Sequence, residues 1–382
     1  MSTDVLLVGG GVASVRCARA LRRGGFAGSI LLVGDERNLP YNRPPLSKEL
    51  LRDDLPEELV LAERAAWYER QRVELRTATT VVELDPEARV AELWDGTRIG
   101  YARCVLATGA APRALPVPGG TAVPTLRTLA DARRLRATAL ETPGAAVTVI
   151  GGGLIGVEVA SSLAALGLRP TLLVRGDRLW GGALGAAVSA WALERLASTG
   201  VEVRLEAEVV EVLDGRARTT DGDGDANPVL AGIGVEPRAG LAQAAGLTVD
   251  DGIVTDDEGR TSVDGIWAAG DVARSGPRPV EHWHHARETG ERVARSILGL
   301  PAEPPRAPWT FSEVAGMPLD VVGDGSAADA EAWARPESVL VRSRAGKVAQ
   351  IAIIAGAADV ESARRLVERG ASVRETTVAL AG

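Results

Sequence analysis

One local pattern occurs twice in this chain, and it limits the folds open to it. Residues 4–9 are a short apolar run that ends in Gly9-Gly10-Gly11-Val12-Ala13-Ser14. An Ala/Arg-rich segment with helical spacing follows over 12–23, then a second apolar run over 29–33. Roughly 140 residues later the order returns: strand 146–150, turn Gly151-Gly152-Gly153-Leu154-Ile155-Gly156, helix 157–166 and strand 170–174. A strand–turn–helix–strand unit closes a parallel strand pair through a helical crossover. Two such units in 382 residues predict an α/β chain built on two Rossmann-like, dinucleotide-binding domains.

The glycines in these turns have separate tasks. In the first turn Gly9 permits the tight bend, and Gly11 lets backbone approach a pyrophosphate. The helix that opens at Val12-Ala13 offers N–H donors and the positive end of its dipole. Ser14 stands where the third glycine of the fingerprint is expected; it is small enough for close helix–strand packing. Asp35 and Glu36 follow the second strand, where an acid can hold a ribose 2′-hydroxyl. The second turn carries the complete fingerprint in Gly151, Gly153 and Gly156, with Leu154 and Ile155 between the last two glycines. No acid follows it at the usual spacing. Arg175 stands there instead, with Arg178 close behind, and arginine suits a 2′-phosphate. Two ADP-containing cofactors are therefore expected, and NADH and NADPH both remain open for the second.

Composition narrows the class. Apolar residues make up 46% and charged residues 25%, as in ordinary globular proteins. No apolar run nears the ~20 residues needed to span a bilayer, so no membrane role is expected. The first residues enter an apolar strand without a basic leader, so no export signal is read and a cytoplasmic protein is expected. A net charge of −8 argues against nucleic-acid binding. Cys17 and Cys104 form no C-x-x-C pair, so neither a disulfide nor a redox dithiol is encoded. His282, His284 and His285 lie together but lack a further ligand, so no metal site is expected. Nearly every basic residue is arginine. Lys48 and Lys347 are the two lysines, which makes Lys48 conspicuous as a compact ammonium.

Lys48 ends the segment Tyr41-Asn42-Arg43-Pro44-Pro45-Leu46-Ser47-Lys48. This segment closely resembles the R-P-P-L-S-K motif of ferredoxin reductases of the putidaredoxin and biphenyl-dioxygenase type, which apoptosis-inducing factor shares. Further matches are Ala107-Thr108-Gly109, Leu126-Arg127-Thr128-Leu129, Gly232-Ile233-Gly234-Val235-Glu236-Pro237, Ala269-Gly270-Asp271 and Val280-Glu281-His282-Trp283. They run in order over residues 4–300. The resemblance implies an FAD-binding domain in two parts, 1–111 and 232–300. It also implies an NAD(P)-binding domain over 112–231 and a small, shortened α/β domain over 301–382.

The resemblance also implies roles. Gly9, Gly11 and Ala13 line the FAD pyrophosphate, and Asp35 or Glu36 takes the adenosine ribose. Arg43, Lys48, Val81 and Arg127 contact FAD, Asp271 the ribityl chain and Trp283 the pyrimidine end. Thr108, Gly109, Gly234 and Gly270 belong to the matched cofactor segments. Glu158 faces Lys48 beside the reacting edge of the flavin, where NAD(P)H delivers hydride; as a first-turn acid it also complements its helix dipole. Related disulfide reductases carry a cysteine pair early in the FAD domain, and a CoA-disulfide and peroxide-reducing branch carries one cysteine near Pro44, whereas residues 36–56 here contain none, so electrons leave the flavin directly. The implied acceptor is a ferredoxin, a small iron–sulfur carrier. A small molecule or quinone is the rival acceptor, and an NAD(H)-responsive interaction protein the rival class; a homodimer is left open. In the tail, Trp309-Thr310-Phe311-Ser312-Glu313 stands where the family has W-x-W-S-D. Arg274, Arg278, Arg342, Arg344 and Lys347 are the basic candidates for docking an acidic carrier.

Overall fold

The structure, a computed structural model, describes residues 1–220, 222–226, 228–276 and 280–380. Two compact units emerge. The first comprises residues 1–43, 56–111 and 235–305, and the second residues 44–55, 112–234 and 306–382.

The first unit is built on the sheet that contains strand Ser2–Val8. Its order runs Val73–Arg76, Ile30–Val33, Ser2–Val8, Arg98–Leu106, Val90–Leu93, Val81–Asp85, with Ile266–Ala268 also pairing with Arg98–Leu106. Ile30–Val33 and Arg98–Leu106 flank the first strand in parallel register, Val8 opposite Val33 and Leu106. Alternate side chains of Ser2–Val8 serve opposite layers. Val5 and Leu7 pack under helices Val12–Arg23 and Trp283–Ile297, while Leu6 and Val8 pack with strands Val81–Asp85 and Val90–Leu93 and helix Gly240–Ala244. Cys17 and Cys104 are fully buried core residues, and burial pushes the Cys17 thiol up to about 12.

The second unit repeats the arrangement. Its parallel sheet runs Glu202–Arg204, Arg169–Leu173, Ala146–Ile150, Pro228–Ala231. Counting the parallel strands alone and numbering from the fingerprint strand, both sheets run 3-2-1-4, the signature of a dinucleotide fold. The tail adds a five-stranded antiparallel sheet covered by helices Val360–Glu368 and Val373–Leu380. The second fingerprint helix starts at Leu154, three residues earlier than its sequence reading, and one segment changes type altogether. Residues 222–227 look like a polar loop, yet Gly222–Ala226 is a strand paired antiparallel with Arg216–Thr219. Asn227 lies outside the described residues. Pairing satisfies the backbone of this polar stretch, which needs no apolar periodicity for it. Among the described residues no helix is long and apolar enough to cross a membrane.

Candidate dinucleotide sites and a buried ion pair

The two turns are stereochemical copies. Gly9 has φ +120° and donates its N–H to Val33 O at 2.8 Å; Gly151 has φ +111° and donates to Leu173 O at 2.8 Å. A Cβ on Gly9 would sit 2.1 Å from Ala107 O, and one on Gly151 would sit 2.3 Å from Gly232 O. Each strand is thus flush with its neighbour because the turn lacks a side chain. Gly11 and Gly153 are the extended N-caps of helices Val12–Arg23 and Leu154–Ala165. A Cβ on Gly11 would meet nothing within 4 Å, and one on Gly153 only Gly232 O at 3.8 Å. The space before each helix end is therefore open because glycine stands there. The first intrahelical bonds are Val15 N–H to Gly11 O and Val157 N–H to Gly153 O, so the N–H groups ahead of them face that space. Both sites fit the pyrophosphate of a dinucleotide. Gly156 is needed for packing, since a Cβ there would lie 1.8 Å from Gly151 O; Ser14, its counterpart, is buried.

Around the first turn the unit gathers most of the sequence-selected residues. Gly270 (φ +75°) donates its N–H to Thr289 Oγ1 at 2.9 Å, and a Cβ on it would touch Ala13 Cβ at 3.1 Å. This places the Gly270–Asp271 turn against the start of the fingerprint helix. Gly290 lets helix Trp283–Ile297 approach that helix; its Cβ would fall 2.3 Å from Ala13 O. Trp283 begins this helix and donates Nε1–H to Asn42 Oδ1 at 2.9 Å, with the Arg287 guanidinium 4.6 Å from its ring. Asn42 escaped the sequence reading. Glu36 accepts from the Tyr41 hydroxyl at 2.5 Å and from Arg43 Nη2 at 2.9 Å, while Asp35 pairs with Arg238 Nη1 at 2.9 Å. Thr108 Oγ1 donates to Arg238 O at 2.8 Å, and Gly109 has φ +70°. Val81 is a core residue at the start of its strand, opposite Leu93.

His282 caps helix Trp283–Ile297, its Nδ1 accepting from His284 N–H at 3.4 Å. No group of three His, Cys, Asp or Glu suited to a metal occurs among the described residues. Burial, reinforced by Arg292, holds the His285 imidazole down at about 4, against an ordinary 6.5. A depressed histidine contributes stability above its unfolded value, and that contribution falls away as the imidazole is forced to charge. Stability should therefore decline as pH drops from about 6.5 toward 4, and His285→Gln should flatten that limb of a denaturation-versus-pH profile. An unchanged slope would show that His285 does not govern it.

The second unit holds the other group. Lys48 Nζ lies 3.0 Å from Glu158 Oε2, and the two side chains are 8% and 4% exposed. Ser47 Oγ donates to the same oxygen at 2.5 Å, and Ser312 Oγ donates to Oε1 at 2.7 Å. Phe311 places its ring 5.7 Å from the ammonium. A buried ion pair persists only when its remaining lone pairs are satisfied, and here two hydroxyls do so. The sequence paired Lys48 with Glu158; it did not indicate Ser47 or Ser312, which come from segments far apart in the chain. Arg127 precedes Thr128, whose capping box starts helix Leu129–Glu141. That helix reaches back to the Lys48 segment through Arg136 Nη1, 2.6 Å from Leu51 O. Gly234 (φ +104°) accepts from Arg113 N–H at 3.0 Å. At the second turn Arg175 is exposed, while Arg178 is drawn onto Asp177 at 2.6 Å.

Two of the basic docking candidates are otherwise engaged. Arg274 binds the backbone and side chain of Asp250, and Arg342 is 11% exposed and bonded within its unit. An arginine forks onto carbonyls and carboxylates wherever the fold supplies them, which sequence position does not reveal. Arg278 lies outside the described residues. Arg344 and Lys347 are exposed and face each other across neighbouring strands.

Comparison with known proteins agrees with this geometry. The family model described as pyridine nucleotide-disulphide oxidoreductase matches residues 3–290. The chain is 36% identical to the ferredoxin reductase component of chlorobenzene dioxygenase from Cupriavidus sp. (strain PS12), over 99% of this chain and 96% of that one. It is also 36% identical to the ferredoxin–NAD(+) reductase subunit of the benzene 1,2-dioxygenase system of Pseudomonas putida, over 96% and 93%. In a covalent putidaredoxin reductase–putidaredoxin complex, a solved chain superposes with TM-score 0.92 at 30% identity, covering 99% of this chain and 95% of that one. Duplicated turns, sheet order and sequence similarity along the chain agree, and the chain belongs to the pyridine nucleotide-disulphide oxidoreductase family.

Proposed function

We propose that the protein is an NAD(P)H-dependent flavoprotein reductase that passes electrons from FAD to a ferredoxin, a small iron–sulfur carrier. The observation that carries this reading is similarity over 99% of the chain to the ferredoxin reductase component of a dioxygenase. Bound FAD supplies the conversion between a two-electron nicotinamide donor and a one-electron acceptor.

The residues divide the work. Gly9, Gly11, Val12 and Ala13 hold the FAD pyrophosphate, and Asp35 or Glu36 takes the ribose. Gly270, Asp271 and Trp283 complete that site with Thr108, Gly109, Val81 and Arg43. Arg127 and Lys48 contact the flavin, a role that rests on the resemblance. Gly151, Gly153, Leu154, Ile155 and Gly156 hold the nicotinamide nucleotide, with Gly234 beside them. Glu158 holds the Lys48 ammonium in place through their 3.0 Å contact. The segment around Lys48 carries no cysteine, so no dithiol intervenes. The same reading divides the chain into FAD segments 1–111 and 232–300, an NAD(P) domain over 112–231 and a small C-terminal domain. It places the protein in the cytoplasm, which suits two buried free thiols.

Anaerobic titration of the purified flavoprotein tests the reading: one equivalent of NADH or NADPH should bleach the 450 nm flavin band. Failure to bind FAD, or a flavin that neither nucleotide reduces, overturns it. Arg175 decides between the nucleotides. Arg175→Glu removes a partner for a 2′-phosphate and restores an acceptor for a ribose hydroxyl, so kcat/KM should shift toward NADH by about tenfold. If wild type already prefers NADH by that margin, Arg175 is a surface charge. Arg344 and Lys347 offer the ferredoxin a basic face. Its reduction should then slow with rising salt, since screening shortens the attraction to about 8 Å near physiological ionic strength.

A further inference from the structure

The loop that follows the second fingerprint is held in an unusual shape from two sides. Trp180 has φ +56°, ψ +20°, followed by Gly181 at φ +58°, Gly182 at φ +78° and Gly185 at φ +90°. A bulky side chain in the left-handed region persists only where its surroundings impose it. On one side, Trp180 N–H donates to Gly152 O at 2.7 Å, within the fingerprint turn itself. On the other, the tail sheet grips the loop. Arg342 Nη1 donates to Ala183 O at 2.6 Å and to Gln350 Oε1 at 2.8 Å. Glu331, the cross-strand partner of Arg342, accepts from Ala186 N–H at 3.3 Å and Ala187 N–H at 3.0 Å.

These contacts are built rather than incidental. Helix Ala186–Ser198 begins at Gly185, which has no side chain to cap it, so a carboxylate 145 residues away takes the first two N–H groups. A Cβ on Gly185 would lie 2.3 Å from Glu331 Oε2, and one on Gly325 would lie 2.2 Å from Arg342 Nη1. Glycines thus admit both side chains. Arg342 Nε lies 3.6 Å from Glu331 Oε2, which orients the pair on one face of the sheet. A second tie runs parallel: Arg195 Nη2 donates to Ala315 O at 2.9 Å, and Ala315 N–H donates to Ser161 Oγ at 3.1 Å on the fingerprint helix. The Trp180 indole N–H is buried without a partner among the described residues, so its ring is placed by the loop's shape and not by a bond of its own.

We propose that Glu331 and Arg342 are positioning residues for the nicotinamide-nucleotide site, acting through residues 179–185 on the Gly151–Gly153 turn. The inference rests on the reading that this turn holds NAD(P)H. Neither side chain touches the fingerprint. Their effect is to fix the loop so that Trp180 N–H meets Gly152 O and the turn keeps one shape for the pyrophosphate. Release of the loop lets Trp180 leave the left-handed region, and the bond to Gly152 goes with it. The tail therefore tunes nucleotide affinity, in addition to whatever it does toward an acceptor.

The test is calorimetric titration of the oxidised flavoprotein with NAD+ and with NADP+, which do not react with it. Arg342→Ala and Glu331→Gln should each raise the dissociation constant of the tighter nucleotide roughly fivefold or more. KM for the reduced nucleotide should rise in step, while kcat with ferricyanide at saturating nucleotide stays within about twofold. A merely structural role would lower kcat, flavin content and thermal midpoint together. Should Arg342→Ala lose flavin or unfold, Glu331→Gln carries the test, since it keeps side-chain size and one acceptor. Unchanged dissociation constants in folded variants overturn the inference and leave the functional reading standing. A wild-type chain that binds neither nucleotide overturns that reading and the inference with it.

Discussion

Glu158→Ala should destabilise the protein by roughly 3–5 kcal/mol, because removing one member of a buried ion pair leaves the other charged and unpaired. The carboxylate accepts from Lys48, Ser47 and Ser312, and its loss strands an ammonium and two hydroxyls in a site almost closed to water. Glu158→Gln keeps the shape and an acceptor oxygen, so its cost should be about half as large. A double variant, Lys48→Met with Glu158→Leu, removes both charges at similar volume. It should recover much of the loss, since apolar replacement of a whole buried pair is often neutral. Denaturant unfolding of wild type, Lys48→Met, Glu158→Leu and the double variant forms a cycle with a coupling energy of about 2 kcal/mol or more. The single variants should also slow reduction of the flavin by NAD(P)H if Lys48 stands beside its reacting edge. Additive losses would show that the two groups act independently.

Gly9→Ala and Gly156→Ala should each be severe and should separate the two nucleotide sites. At Gly9 a methyl group meets Ala107 O at 2.1 Å, and both partners are backbone. The turn cannot swing away without breaking the 2.8 Å bond from Gly9 to Val33 O. The positive φ adds strain, so a loss of about 3 kcal/mol or more is expected, with the flavin released. At Gly156 the methyl group meets Gly151 O at 1.8 Å, which pushes the helix off its strand. That variant should keep FAD while its affinity for the nicotinamide nucleotide collapses. Flavin content by absorbance and nucleotide binding by titration distinguish the outcomes. Loss of flavin from Gly156→Ala alone would show that the two turns do not serve separate cofactors.

Much of this architecture is legible in the sequence because it is local. The helix Val12–Arg23 has the bounds its spacing suggests, and both fingerprints lie between strand and helix. Glycine also announces the positive φ of both fingerprint turns, at Gly9 and Gly151. What the sequence hides is pairing over long separations. Ser312 reaches Glu158 across 154 positions and Glu331 reaches Ala186 across 145, and no periodicity encodes either. Arg342 shows the same limit from the other side. It reads as a surface charge fit for a partner, yet the fold closes the Ala183 carbonyl and Gln350 around it. The strand Gly222–Ala226 was illegible because its composition is that of a turn, and a neighbouring strand supplies its order.

In the proposed function, electrons pass from NAD(P)H through FAD to a ferredoxin. Cytochrome c reduction by the purified flavoprotein, with NADH or NADPH and with or without an added two-iron ferredoxin, tests it most directly. Turnover should depend on the ferredoxin, saturate with it and slow as salt rises. A rate that is the same without the carrier, or brisk turnover with a quinone and none with any ferredoxin, would contradict it.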